Sequence, residues 1–218
     1  MTAQYGELLE YDGRKMKMFT EPLERYLSTL EKRPEELSTM HNTACWRGYI
    51  GEWRIIDSKL FLVRLCIGWP GMETENTKIE QHERNSKSAQ AKMLVIKPGM
   101  FSAGVCTPIE IPLGAVFKDA ADQVFASWFS GIIRVPQGKL LYYIHMGYES
   151  TYESDLMLLL SHGNLAGSFT LDNKKDPADR ETSFKAAQEE YQAAINSDEL
   201  LHEDLVRYSC CTVKGTVN

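Results

Sequence analysis

The sequence predicts an α+β fold: an antiparallel, hairpin-rich sheet with flanking helices and an acidic helical segment toward the C-terminal end. Three observations carry this reading. Thr43 to Leu65, TACWRGYIGEWRIIDSKLFLVRL, is the densest run of aromatic and β-branched residues, interrupted once by the turn-forming Asp57-Ser58-Lys59. Further pairs of apolar runs flank Gly-, Pro- or Asn-containing turns, and no βαβ alternation occurs. From Asp176 onward the apolar period changes from that of a strand to that of a helix.

Taken in order, Glu7 to Phe19 contains Asp12-Gly13, a pair suited to the positive φ angles of a two-residue hairpin turn. Pro22 opens a short helix on which Leu23, Tyr26, Leu27 and Leu30 recur at i, i+3, i+4 and i+7, ending before Pro34. In the central hairpin, parity puts Tyr49, Gly51, Trp53 and Ile55 on one face and Trp46, Ile50, Glu52 and Arg54 on the other. A three-residue loop sets Glu52 opposite Arg64 and Arg54 opposite Leu62, whereas a two-residue loop sets Glu52 opposite Val63; charge pairing favours the former.

Residues 71–92, with Ile79 as their one large aliphatic residue, read as an exposed, mobile insertion. Met93 to Ile96 and Val105 to Ile111 read as short strands, pushed toward sheet edges by Pro98, Pro108 and Pro112. Asp119 caps a predicted helix through Phe129, with Ala120, Val124 and Trp128 as its stripe and Gly131 after its last turn. Ile132 to Val135 and Lys139 to Met146 flank Pro136-Gln137-Gly138 as a hairpin. Leu156 to Leu160 and Leu165 to Phe169 flank Ser161-His162-Gly163-Asn164 as another. After Asp176-Pro177, Phe184, Ala187, Tyr191, Ala194 and Ile195 keep helical spacing, and Leu201, Leu205 and Tyr208 mark a second helix.

The 218 residues, 43% apolar and 25% charged, suit a single globular domain over 1–218 with a C-terminal helical extension at 176–209. No stretch reaches the ~18 apolar residues of a membrane helix, and MTAQYGELLEYDG lacks a basic region followed by an apolar one, so a cytoplasmic location is expected. The five cysteines, at 45, 66, 106, 210 and 211, show no CxxC spacing and read as reduced thiols. Between Asp176 and Arg207 nine acids face three bases, which accounts for the whole net charge of −6. No basic stripe with interleaved aromatics is present, so direct nucleic-acid binding is not expected.

Phosphate-loop, dinucleotide and GxSxG fingerprints are absent from the sequence, and no cofactor or metal is expected. In Tyr142 to Asp155, an extended chain would give His145, Glu149, Glu153 and Asp155 a common parity, with histidine beside carboxylates as a general base or a metal ligand. Arg47 or Arg134 would hold an anionic substrate in that reading, a small hydrolase or transferase. Against it stands a polar connection with one hydrogen-bonded histidine, and Gly147 disfavours a regular strand. Cys45 beside Arg47 has a cation that would lower a thiol pKa, though a lone cysteine is more often buried filler. Trp46 and Arg47 are equally suited to recognition or to packing.

The strings FTEPLERYL (19–27), NTACWRGYIGEWRIIDSKLFLV (42–63) and FASWFSGIIRVPQGKLLYYIHMGYESTYESDLML (125–158), with the glycine turn that follows, resemble a set found in small uncharacterised bacterial proteins. The resemblance covers about half the chain, implies a common fold and carries no activity with it. The favoured expectation is a cytoplasmic protein-binding module, an immunity-like antitoxin that occludes the active site of a basic toxin. Its expected contact residues are Glu189, Glu190, Asp198, Glu199, Glu203, Trp46 and Arg47. A structural subunit of a larger assembly, with a broad apolar patch, is the third expectation.

Overall fold

The computed structural model describes residues 2–37, 43–67, 109–118 and 120–213, with the backbone alone at 195 and 209–213. The expected insertion at 71–92, the strand at 93–96 and the cap at Asp119 lie outside those residues. The fold is α+β. Nine strands form one sheet: β1 (Glu7–Tyr11), β2 (Arg14–Met18), β3 (Ile50–Ile56), β4 (Lys59–Ile67), β5 (Ile109–Ile111), β6 (Val124–Phe125), β7 (Gly131–Tyr142), β8 (Thr151–Ser161) and β9 (Asn164–Asp172). The described helices are α1 (Pro22–Leu27), α2 (Pro177–Glu190), α3 (Gln192–Asn196) and α4 (Glu199–Val213), with single 3-10 turns at Glu35–Leu37 and Leu113–Ala115.

The strand path β2-β1-β3-β4-β9-β8-β7 bends into two leaves. The first leaf is β2-β1-β3-β4, with β5 and β6 on the far edge of β4, and the second is β9-β8-β7. They join at one margin through Lys59 and Asn164, where Leu60 N–H donates to Gly163 O at 2.8 Å and Leu165 N–H to Ser58 O at 2.7 Å. At the other margin Phe19 N–H donates to Arg134 O at 2.7 Å. Leu9, Met18, Trp53, Leu62 and Leu65 from the first leaf meet Ile133, Val135, Leu158 and Leu160 from the second, with Leu23 and Leu27 of α1 alongside. A second core lies on the outer face of β7–β9, where Ile132, Met157, Leu159 and Leu171 pack under Phe184 of α2 and Leu201 and Leu205 of α4. Leu156 to Leu160 is an unbroken apolar run because both faces of β8 are covered.

Three hairpins follow the sequence: β1–β2 around Asp12-Gly13, β3–β4 around Asp57-Ser58, and β8–β9 around His162-Gly163. The sheet is not wholly antiparallel, because β3 returns beside β1 in parallel. The central hairpin satisfies parts of both predicted registers. Its turn has two residues, with Ile56 opposite Lys59 and Arg54 opposite Phe61, yet Glu52 faces Arg64 and the two pair at 3.0 Å. A register shift between Glu52 and Trp53 inserts one extra residue in β4 and reconciles the two. It also turns Leu65 rather than Arg64 inward, opposite Gly51.

Two expectations are corrected. Residues 120–129 form no helix: Val124 and Phe125 pair with Leu62 and Phe61, and Ala126 N–H donates to Leu60 O at 2.9 Å. Trp128 packs on α1 instead, stacked on Phe117 and tilted against Tyr26, and its indole N–H donates to Pro22 O at 3.0 Å. Pro136-Gln137-Gly138 is not a hairpin turn either, since β7 runs through it and pairs with β8 from Gly131 to Tyr142. The peptide groups of Arg134 point to the β2 margin, and Pro136 has the same parity, so its missing N–H falls on the side away from β8. Gly138, at φ 75°, takes the left-handed step of a bulge where the β7–β8 register shifts. Pro-Gly chemistry serves turns and bulges alike, which is why the sequence alone misplaces it.

Candidate functional site

At one end of the inner core the charged pair Glu7 and Arg47 is buried, with Glu21, Glu24 and Arg33 half-buried around it. Glu7 alternates inward with Leu9 on β1 and is fully buried. The Trp53 indole N–H donates to Glu7 Oε2, and Arg47 Nε lies 3.2 Å from Glu7 Oε1. Arg47, itself only 6% exposed, reaches Glu21 Oε1 at 3.1 Å and the Tyr148 hydroxyl at 2.8 Å through Nη1. The Tyr148 hydroxyl is 2.7 Å from Glu21 Oε1, to which it donates. The ring of Tyr49 lies beneath both Arg47 and Arg33, and Arg33 forks onto Glu24 at 2.8 and 3.0 Å.

Burial pushes the Glu7 carboxyl up to about 8, against the attraction of Arg47 and the Trp53 hydrogen bond. Burial also raises the Cys45 thiol, which overrides the lowering effect of Arg47. The expected activation of that thiol by its neighbouring cation is therefore corrected: Cys45 is buried and donates to Tyr49 O at 3.3 Å.

A cleft of 730 Å³ opens beside this network, between the outer face of β7–β9, the first half of α2, the middle of α4 and the 144–151 segment. On its floor Arg134 Nε meets Asp155 Oδ1 at 2.9 Å, and Asn173 Nδ2 donates to Asp155 Oδ2 at 2.8 Å. Arg134 also donates to Tyr148 O at 2.7 Å and Ser150 O at 3.0 Å, fastening the β7–β8 connection to the sheet. On the helical side Arg25 pairs with Asp204 at 2.8 Å, and Asp204 accepts from Ile132 N–H at 3.0 Å.

The proposed catalytic set does not converge. Residues 143–150 form a connection, with Gly147 at φ 50°, and no extended strand. His145 is exposed, with Tyr143 Oη 2.8 Å from its Nδ1, and Glu149 is exposed nearby in sequence. Glu153 accepts from Lys139 N–H at 3.0 Å and faces Lys174 at 4.0 Å. Arg47 and Arg134 are held in separate networks that both reach Tyr148, Arg47 at its hydroxyl and Arg134 at its carbonyl.

The expected contact residues fall into two groups and two exceptions. Glu189, Glu190, Glu199 and Glu203 are exposed around the corner where α2 gives way to α4. Asp198, only 4% exposed, is not part of that face. It caps α4, accepting from Leu201 N–H at 3.2 Å and Ser161 Oγ at 2.7 Å. Burial opposes its ionisation, but hydrogen bonds from Ser130, Ser161 and Leu201 and the nearby His162 outweigh it and hold the carboxyl below the ordinary range. Arg47 is likewise interior. Trp46 is 50% exposed; Gln4 accepts from Trp46 N–H at 2.9 Å and donates to Gly147 O at 2.8 Å, which brings Trp46 to the end where the exposed Met146 stands. Leu140, Leu141, Tyr142 (66% exposed) and Tyr143, at the end of β7 and just after it, are exposed as well.

The chain matches no protein-family model, no curated protein and no solved structure. No described helix is long and apolar enough to cross a membrane. Among the described residues no three His, Cys, Asp or Glu side chains stand together as a metal would require. Sequence reasoning missed Glu7, Glu21, Tyr148, Asp204, Arg180 and Arg207. The inward parity of Glu7 with Leu9 was the one available signal; the others are joined by contacts across more than seventy residues or by the packing of the helices.

Proposed function

We propose that this protein is a protein-binding module that engages its partner through the ridge formed by Leu140 to Tyr143, Met146 and Trp46. The exposure of these large apolar side chains at one end of the molecule carries the reading, because leaving such surface in water is unfavourable unless something covers it. Tyrosine and tryptophan are also the residues that anchor interfaces most often. The acidic corner of Glu189, Glu190, Glu199 and Glu203 supports a basic partner, as the immunity-like antitoxin reading requires, and acts through steering. It lies toward the Gly131 end of β7, about 30 Å along the strand from Leu140 at 3.3 Å per residue. One small partner therefore anchors on the ridge and feels the acids at a distance.

The same ridge suits a subunit of a larger assembly, and one experiment separates the alternatives. Sedimentation of the purified chain is combined with partner recovery from host lysate, using Leu141→Ser/Tyr142→Ser and charge reversal at Glu189, Glu190, Glu199 and Glu203. A basic partner lost with the ridge variant, and bound more slowly by the charge-reversed one at low salt, supports the binding module. Self-association abolished by the ridge variant supports the assembly subunit. Recovery and sedimentation unchanged by both variants removes the ridge from the account.

A further inference from the structure

We infer that the cleft between α2, α4 and the outer face of β7–β9 binds a small amphipathic anion, its acidic head on Arg180 and Arg207 and its apolar body on the half-buried Phe19, Ile144 and Tyr208. Among the described arginines, Arg180 and Arg207 are the two whose side chains make no hydrogen bond or ion pair, and both line this one cleft. The others are engaged: Arg14, Arg25, Arg33, Arg47, Arg54, Arg64 and Arg134 all face carboxylates.

Arg180 gives the stronger argument. Its Nε is buried and has no partner, whereas the other buried charged atoms without a hydrogen bond are Arg33 Nε, whose guanidinium is otherwise forked onto Glu24, and atoms of the Glu7–Arg47 and Arg134–Asp155 pairs. A guanidinium N–H shielded from water and left empty is unfavourable, and an anion in the cleft would satisfy it. Arg207 is exposed at the rim, one residue before Tyr208, which also lines the cleft.

The charges leave room for such a ligand. Arg25 and Asp204 neutralise each other, as do Arg134 and Asp155, and Glu21 is turned to Arg47. What remains is Arg180 and Arg207 against Glu149 on the exposed 143–150 connection, an excess of one positive charge. Two guanidinium forks match the oxygens of a phosphate monoester or, less completely, of a carboxylate. The volume of 730 Å³ lies in the range of sites for ligands much larger than a bare ion, which is why a body is part of the inference.

The test is calorimetric titration of the full chain with 1-naphthyl phosphate, 1-naphthoate, inorganic phosphate and 1-naphthol, on wild type, Arg180→Gln, Arg207→Gln and Leu141→Ser/Tyr142→Ser. The expected result is one-to-one binding of 1-naphthyl phosphate with Kd near 1 mM or tighter. Inorganic phosphate and 1-naphthol each bind about tenfold more weakly, and each arginine variant weakens 1-naphthyl phosphate by about tenfold. The ridge variant leaves its affinity unchanged. Neither arginine holds a partner, so unfolding midpoints in urea stay at the wild-type value. Comparison of 1-naphthoate with the phosphate decides which acid head is preferred. Absence of heat with every probe at 10 mM overturns the inference. So does equal affinity in both arginine variants, loss of binding in the ridge variant, or inorganic phosphate binding as tightly as its ester.

Discussion

Glu7 is a buried carboxyl whose titration is pushed up into the neutral range. Its carboxyl titrates near 8 when folded and near 4.5 when exposed, so between those values the folded chain keeps a proton that the unfolded chain has lost. The stabilisation is complete below about pH 4.5 and is lost as pH rises through 8. Glu7→Gln keeps an acceptor for the Trp53 indole and leaves Arg47 its contact with Glu21. The expected outcome is a urea midpoint that falls from pH 5 to pH 8 in wild type and stays nearly flat over that interval in E7Q. Equal slopes would show that Glu7 is ionised throughout. Asp198 has the opposite sign: its carboxyl is depressed, so its stabilisation holds at neutral pH and fades in acid. Asp198→Ala removes the cap of α4 together with the Ser161 bond and is expected to cost about 1–2 kcal/mol at pH 7, read from thermal or urea unfolding. Glutamate on an inward strand position was legible in the sequence. That its counter-charge comes from Arg47 was not, because a residue separation of forty carries no geometric information until β3 has returned beside β1.

At the scale of elements, local turn chemistry determined what could be read. Asp12-Gly13 and His162-Gly163 mark their hairpins unaided, since both residues of each turn sit at positive φ and one is glycine. Asp57-Ser58 makes the same two-residue turn without glycine, with φ of 48° and 59°. A side chain in that conformation costs about 1–2 kcal/mol. Ser58→Gly is therefore expected to stabilise the protein by about 0.5–1 kcal/mol, measured as a higher urea midpoint with an unchanged slope. A lower midpoint would mean that the serine side chain contributes more than its backbone conformation costs. Pro136 to Gly138 and residues 119 to 129 misled for a shared reason. A proline-glycine pair fits a bulge as well as a turn, and a four-residue apolar spacing fits a half-buried irregular segment as well as a helix. In both places pairing with a distant strand outweighs local preference: Asp155 opposite Pro136, and Phe61 opposite Phe125.

Considered whole, the molecule has two cores that share the second leaf. The inner one draws on both leaves and α1, and the outer one on the outer face of β7–β9 with α2 and α4. Among the described residues the C-terminal helices contribute none to the inner core, and they are fastened to the sheet by Arg25–Asp204, by the Asp198 cap against Ser161 and by the Tyr191 hydroxyl on Ser168 O at 3.1 Å. Such a layer can open while the leaves stay closed, whereas the leaves cannot open without taking the floor from under the helices. Native-state hydrogen exchange is expected to show α2 and α4 amides exchanging at a lower free energy than those of β3, β4 and β8. Leu201→Ala, at a buried site of the outer core, should cost about 2–5 kcal/mol and lower protection in the helices while β3 and β4 keep theirs. Leu62→Ala, in the inner core, should lower protection everywhere by a similar amount. If Leu201→Ala reduced β3 and β4 protection as much as that of α4, the two cores would be one cooperative unit.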